Sequence, residues 1–135
     1  MGYSNNVPKY EPYSANVVEL ARNNTDFRRV LDTTEHTQLV LMFIAAGGEI
    51  GEEIHAGTDQ VLFFVDGRGE ALLLDQRRPV AGGDVVVVPA GTRHNFVANA
   101  GQALRLYTVY SPPHHRAGTV HRTKADADGD KGDHA

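Results

Sequence analysis

The chain has 135 residues, 41% of them hydrophobic, a formal net charge of −4, seven histidines and no cysteine. One domain with a real core follows from this length, while the missing cysteines exclude disulfides, thiolate metal sites and cysteine nucleophiles. The acidic balance argues against a nucleic-acid partner, which needs a basic face; with no secretory leader and no apolar stretch longer than Leu39 to Ala46, a cytoplasmic protein with no membrane partner is expected.

Residues 1–15 carry Pro8, Pro12 and three tyrosines without a period and read as an extended N-terminal arm. Val17 to Asn23 fits a short helix. From Gln38 onward the pattern becomes β, with short apolar or alternating runs at Gln38 to Ala45, Asp59 to Val65, Glu70 to Leu74, Asp84 to Val88, Arg93 to Ala98 and Ala103 to Tyr110. Asp66-Gly67 offers the positive φ angles of a type I′ hairpin, and Val88-Pro89-Ala90-Gly91 fits a type I turn. Asn99 to Gln102 is a third turn. Val85 to Val88 has no polar alternation, so this strand is expected to be buried on both faces. Six short strands at close spacing predict an all-β sandwich or barrel over residues 16–123. Pro112-Pro113 ends the last strand. Residues 124–135 are acidic and poor in large apolar groups, which predicts a disordered tail whose deletion shifts stability by less than about 0.5 kcal/mol.

The chemistry concentrates where strands meet turns. In a strand, Glu53 and His55 share a face and Ile54 turns the other way into apolar packing. Gln60 follows a gap containing Gly57, and a hairpin there folds it back beside the pair. His94 opens the strand after the Pro89 turn. If these strands are neighbours, Glu53, His55 and His94 converge as two imidazoles and a carboxylate, a set suited to non-haem Fe(II), Mn or Ni, with Zn also possible. Otherwise Glu53 and His55 form an ordinary solvated strand face, and His94 is structural.

The spacing of these residues resembles the cupin superfamily, whose motifs run G-x5-H-x-H-x3,4-E-x6-G and G-x5-P-x-G-x2-H-x3-N. Gly47, Glu53, His55, Gln60 and Gly67 follow the first pattern, and Gly83, Pro89, Gly91 and His94 the second, together covering residues 47–98. Three positions depart: the first histidine is Glu53, the glutamate is Gln60, and the asparagine falls on Ala98. Further stretches, among them Phe27 to Leu31 and Tyr110 to His114, are similar to small bacterial single-domain cupins often given mannose-6-phosphate isomerase-like names. The resemblance implies an all-β cupin jelly-roll β-barrel holding one divalent transition metal (Fe, Mn, Ni or Zn) on Glu53, His55, Gln60 and His94.

His114, His115 and His121 follow the last strand, either as a flap carrying a base or an extra ligand across the mouth, or as a solvated linker. Glu53, His115 and His121 are therefore the candidate acid–base residues. Arg93 either meets an anionic substrate or lies on the surface, and Tyr107 and Gln38 are candidates for the cavity lining. The function expected is a metalloenzyme acting on a small molecule, with isomerase or lyase chemistry on a carbonyl or sugar-like substrate preferred. The alternatives are an Fe(II)-dependent dioxygenase and a non-catalytic module binding a small ligand. A homodimer is expected.

Overall fold

The computed structural model of the chain describes residues 10–133, so the first nine residues of the expected N-terminal arm lie outside the described residues. Asn16 caps the first helix, α1 (Val17–Asn23), by accepting the Glu19 N–H on its side chain at 3.1 Å. Nine strands follow: β1 (Arg28–Thr33), β2 (Gln38–Ile44), β3 (Asp59–Asp66), β4 (Arg68–Leu73), β5 (Gln76–Ala81), β6 (Val85–Val88), β7 (His94–Ala98), β8 (Leu104–Ser111) and β9 (Val120–His121). A second helix, α2 (Lys124–Gly129), follows β9. Six strands form one antiparallel sheet in the order β6-β3-β8-β2-β1-β9, and three form another in the order β5-β4-β7.

Alternation along the central strands builds the interior. On β8, Leu104, Leu106, Thr108 and Tyr110 all face inward and are buried. The register sets Gln38 of β2 and Gln60 of β3 on either side of Tyr110, and Ile44 of β2 opposite Leu104. The barrel is therefore graded. One end is apolar, with Ile44, Phe64, Phe96, Ala98 and Leu104, and the other presents Gln38, Gln60, Thr108 and Tyr110.

Several expectations are corrected. Val85 and Val87 are 54% and 60% exposed rather than buried, because β6 is an edge strand whose outer face no other described residues cover; an uninterrupted apolar run cannot report this. Ile54 is likewise exposed instead of packed. Asp66-Gly67 is not a hairpin, since β3 and β4 belong to different sheets. Gly67 (φ +94°) carries the chain between them past the Ala103 carbonyl, which a Cβ there would meet at 1.9 Å. The Pro89 turn closes one residue later than expected, with the Thr92 N–H on the Pro89 carbonyl at 3.2 Å and Gly91 at φ +82°, the type II pattern. β1 and β5 were not anticipated. Both are rich in arginine, and β5 holds Pro79, which an edge strand tolerates.

The largest correction concerns the tail. Thr123 caps α2 through the Asp126 N–H, and Asp133 is fully buried. Its carboxylate accepts the His115 Nδ1–H at 2.6 Å, the Arg116 N–H at 3.2 Å and the Thr119 hydroxyl at 3.3 Å. Asp130 accepts the His121 Nε2–H at 3.0 Å and pairs with Arg116. Composition predicted disorder because this segment has few apolar groups; polar docking onto two buried histidines supplies what hydrophobic burial does not.

Removing the Asp133 carboxylate strands a buried imidazole N–H, so Asp133→Ala is expected to cost about 1–3 kcal/mol, read as a lower urea midpoint.

The same contacts set an acid limit. Burial, reinforced by the nearby Arg28 charge, lowers His115 to about 3 against the pull of Asp133. Burial pushes the Asp133 carboxyl up, but pairing with His115 and its other hydrogen bonds outweigh this and hold it below the usual carboxylate range. The His121 hydrogen bond lowers Asp130 as well. All three groups bind protons more weakly in the folded chain than in the unfolded one. Their contribution is complete above about pH 6.5, the ordinary histidine value, and is lost as pH falls toward the folded values. The urea midpoint is expected to fall steadily from about pH 6.5 to about pH 4, and a flat profile would refute this docking chemistry.

Candidate metal centre at the barrel mouth

The segment from Glu49 to Glu53 runs beside β7 as an interrupted strand. Glu49 bridges Val97, the Ile50 N–H donates to the Phe96 carbonyl at 3.0 Å, and Gly51 (φ +108°) breaks the ladder. Asn95 fills the break, its side-chain oxygen accepting the Gly51 N–H at 2.9 Å. Pairing resumes at Glu53 and His94, which exchange N–H···O bonds of 2.9 and 3.0 Å. Residues paired in this way project to the same face. The His55 carbonyl then accepts the Gly91 N–H at 2.8 Å, tying the Glu53–His55 segment to the turn that precedes His94.

The side chains converge accordingly. A carboxylate oxygen of Glu53 lies 4.0 Å from His55 Nε2. The His55 ring sits 5.0 Å from that of His94 and 4.1 Å from that of His114, centroid to centroid. Donor atoms of Glu53, His55 and His114 all lie within 4.8 Å of one another. His94 donates its Nδ1–H to the Thr92 carbonyl at 2.8 Å, which leaves Nε2 as the lone-pair nitrogen. That Nε2 is buried and has no hydrogen-bond partner among the described residues. Burial lowers the His94 pKa, against the Thr92 bond, so the ring is neutral near neutral pH.

Gln60 is also buried. Its amide nitrogen donates to Thr108 Oγ1 at 3.1 Å, and its oxygen lacks a partner among the described residues. Gln38 is satisfied at four points. Its oxygen accepts the backbone N–H groups of His114 (3.1 Å) and His115 (2.9 Å), and its nitrogen donates to the His115 carbonyl (2.7 Å) and Thr33 Oγ1 (3.0 Å). Gln38 thereby fixes the backbone that carries His114 into the mouth.

The three histidines after β8 divide. His114 joins the cluster; the signal for it was its place directly after Pro112-Pro113, which sequence alone reads equally as linker. His115 and His121 do not join it. The base role expected of them is replaced by a structural one, because His115 is bound to Asp133, while His121 lies between Arg28 (3.2 Å to Nδ1) and Asp130. Arg93 points outward to Glu52 at 3.7 Å, and Tyr107 stacks on Phe63 away from the mouth.

The donors fit a divalent metal. Imidazole nitrogens with a carboxylate and an amide oxygen are the ligands of Fe(II), Mn, Ni or Zn, and two buried polar atoms here, His94 Nε2 and Gln60 Oε1, have no other partner among the described residues.

Comparison with known proteins agrees with this architecture. The chain is 41% identical over 123 residues to the protein YrkC of Bacillus subtilis (strain 168), covering 87% of this chain and 66% of that one. It thus spans about two thirds of the length of that relative. The crystal structure of BH2720 from Bacillus halodurans is similar with a TM-score of 0.87 and 37% identity, covering 91% of this chain and 99% of that chain. KdgF from Halomonas sp. is similar with a TM-score of 0.59 and 27% identity, over 64% of this chain and 79% of that chain. No helix among the described residues is long and apolar enough to cross a membrane. Residues 40–110 match the family model described as the cupin domain, and with the double-sheet barrel this shows that the chain belongs to the cupin superfamily.

Proposed function

We propose that the chain is a metal-dependent enzyme acting on a small carbonyl or sugar-like molecule by isomerase or lyase chemistry. The observation that carries this reading is the convergence of Glu53, His55 and His114 within 4.8 Å, beside a buried His94 whose Nε2 is left for a ligand. His55 and His94 would hold the ion, with Glu53, His114 and Gln60 as the remaining donors. A bound divalent ion supplies Lewis acidity toward a carbonyl or enediol oxygen.

The chain's own groups divide the remaining work. Thr92 holds the His94 tautomer, Gln38 holds the His114 backbone, and Asp133 holds the His115 ring. Glu53, with its side chain 23% exposed, reaches the open side of the cluster. Whichever of Glu53 and His114 is not bound to the ion moves the proton. Glu53 and Gln60, standing where the motif has a histidine and a glutamate, keep one carboxylate in the donor set, and Gln60, a neutral amide, takes no part in moving the proton.

Elemental analysis of protein purified without an affinity tag is expected to find close to one transition metal per chain. The double variant His55→Ala, His94→Ala should lose it, His114→Ala should hold it more weakly, and His115→Ala should keep it. Stoichiometric metal in the double variant would sink the assignment.

Turnover found by screening carbonyl and sugar-like compounds is expected to continue without oxygen. Activity that vanishes under anaerobic conditions and returns with Fe(II) and air would establish a dioxygenase instead.

A further inference from the structure

Arg28 sits on the inward face of β1, beside Val30, whereas its neighbour Arg29 turns outward to Asp26. The residue is only 3% exposed. A guanidinium removed from water to this extent is strongly destabilising unless an anion or several acceptors surround it. Its surroundings supply this only in part: Arg28 hydrogen-bonds the Tyr110 hydroxyl and lies near the Asp133 charge, but its Nε stays unmatched among the described residues. One terminal nitrogen, Nη1, lies 3.2 Å from His121 Nδ1, and this imidazole already gives its Nε2–H to Asp130, so it meets Arg28 as a neutral acceptor. Phe27 lies under the guanidinium at 5.2 Å. Of the neighbouring carboxylates, Asp130 is hydrogen-bonded by His121 and Arg116, and Asp133, although Arg28 acts on its charge, is hydrogen-bonded by His115, Arg116 and Thr119. Arg28 Nε is buried without an acceptor among the described residues.

Arg28 shares a cavity with one residue of the candidate metal centre: it and Glu53 line a cavity of about 520 Å³ that α2 borders. Tyr110 connects the two ends. Its hydroxyl, held well above its usual range by burial, feels the opposed charges of Arg28 and Glu53, and its ring lies 5.8 Å from that of His55 and 5.6 Å from that of His114.

We infer that Arg28 is an anion-binding residue of the barrel chamber and that the molecule bound there carries a carboxylate. The Nε–H of a guanidinium is coplanar with a neighbouring Nη–H, and the two form a fork matched to a carboxylate. Glu52, Glu53, Asp128 and Asp130 also line the cavity, with Lys124 and Lys131 as its other cations. So many acids favour a singly charged carboxylate over a phosphate dianion. The substrate class that follows is a small oxo- or hydroxy-carboxylate, its carboxylate on Arg28 and its carbonyl or hydroxyl toward Glu53, His55 and His114. Only this second half rests on the metal-centre reading.

The test is calorimetric titration of the full metal-replete chain with 2-oxo acids from pyruvate to 2-oxoglutarate, with methyl pyruvate and inorganic phosphate as controls. At least one acid is expected to bind and the ester is not. Arg28→Lys, which keeps the charge but loses the fork, should weaken binding roughly tenfold or more, and Arg28→Met should abolish it at unchanged metal content and circular dichroism. The proposal is overturned if no acid binds, if the ester binds as tightly, if phosphate outcompetes every acid, or if Arg28→Met retains the parent affinity. Should Arg28→Met fail to fold, an unchanged affinity in Arg28→Lys is decisive against it. Chelator-treated parent separates the two readings: acid binding that still depends on Arg28 upholds the anion subsite even in a protein that takes up no metal.

Discussion

Two backbone hydrogen bonds, exchanged between Glu53 and His94, hold the functional end of this protein together. They join segments about forty residues apart in sequence, at the only point where the Glu49–Glu53 run and β7 meet as directly opposed residues near the mouth. Side chains alternate with a period of two, so a slip of one residue would turn both Glu53 and His94 away from the chamber. The surrounding devices all protect this register. Asn95 spans the break at Gly51, the Gly91 N–H pins the His55 carbonyl, and Thr92 orients the His94 ring.

What was legible in the sequence follows from what sequence encodes locally. The Gly47–Gly67 and Gly83–His94 spacings are turn and strand lengths, and those are local, so the barrel and the nearness of the His55 and His94 rings were legible in them, whereas the joining of His114 to Glu53 and His55 was not. Layer and edge are not local. Val85 to Val88 carries the pattern of a covered strand, yet its outer face is open because no element among the described residues crosses it. β5 reads as a charged loop, yet pairs along its whole length with β4 because one edge suffices for an arginine-rich strand. Arg93, adjacent to a candidate ligand, drew attention as an anion partner. The buried guanidinium is instead Arg28, on a strand whose composition gave no reason to place it inside.

The same limit explains the tail. Disorder is inferred from composition on the premise that folding is driven by apolar burial. Asp130 and Asp133 dock by a different route, since each meets a histidine whose ring is already inside the protein. A carboxylate with three donors around it can be buried with a favourable net balance where an unpaired one cannot. Nothing in the sequence separates Asp133 from the neighbouring acids, because what distinguishes it is the position of His115, and that is set by Gln38 on a strand far away in the chain.

The distribution of satisfied and unsatisfied polar atoms then carries functional meaning. Deep in the barrel the side chains are apolar and close-packed. Toward the mouth Gln38, Thr108, Asp133 and Asn95 are buried and bonded, and they act on backbone or on other side chains. Buried polar atoms without partners are costly and uncommon in folded proteins, yet His94 Nε2, Gln60 Oε1 and Arg28 Nε have none among the described residues. One is a nitrogen lone pair, one an amide oxygen and one a cationic donor. No single ion could satisfy all three, because a metal that took the first two would repel the third. With the proposed metal on the imidazoles, a ligand offering an anionic group to Arg28 would satisfy the whole set, and on that proposal the chamber is a site for two components rather than one.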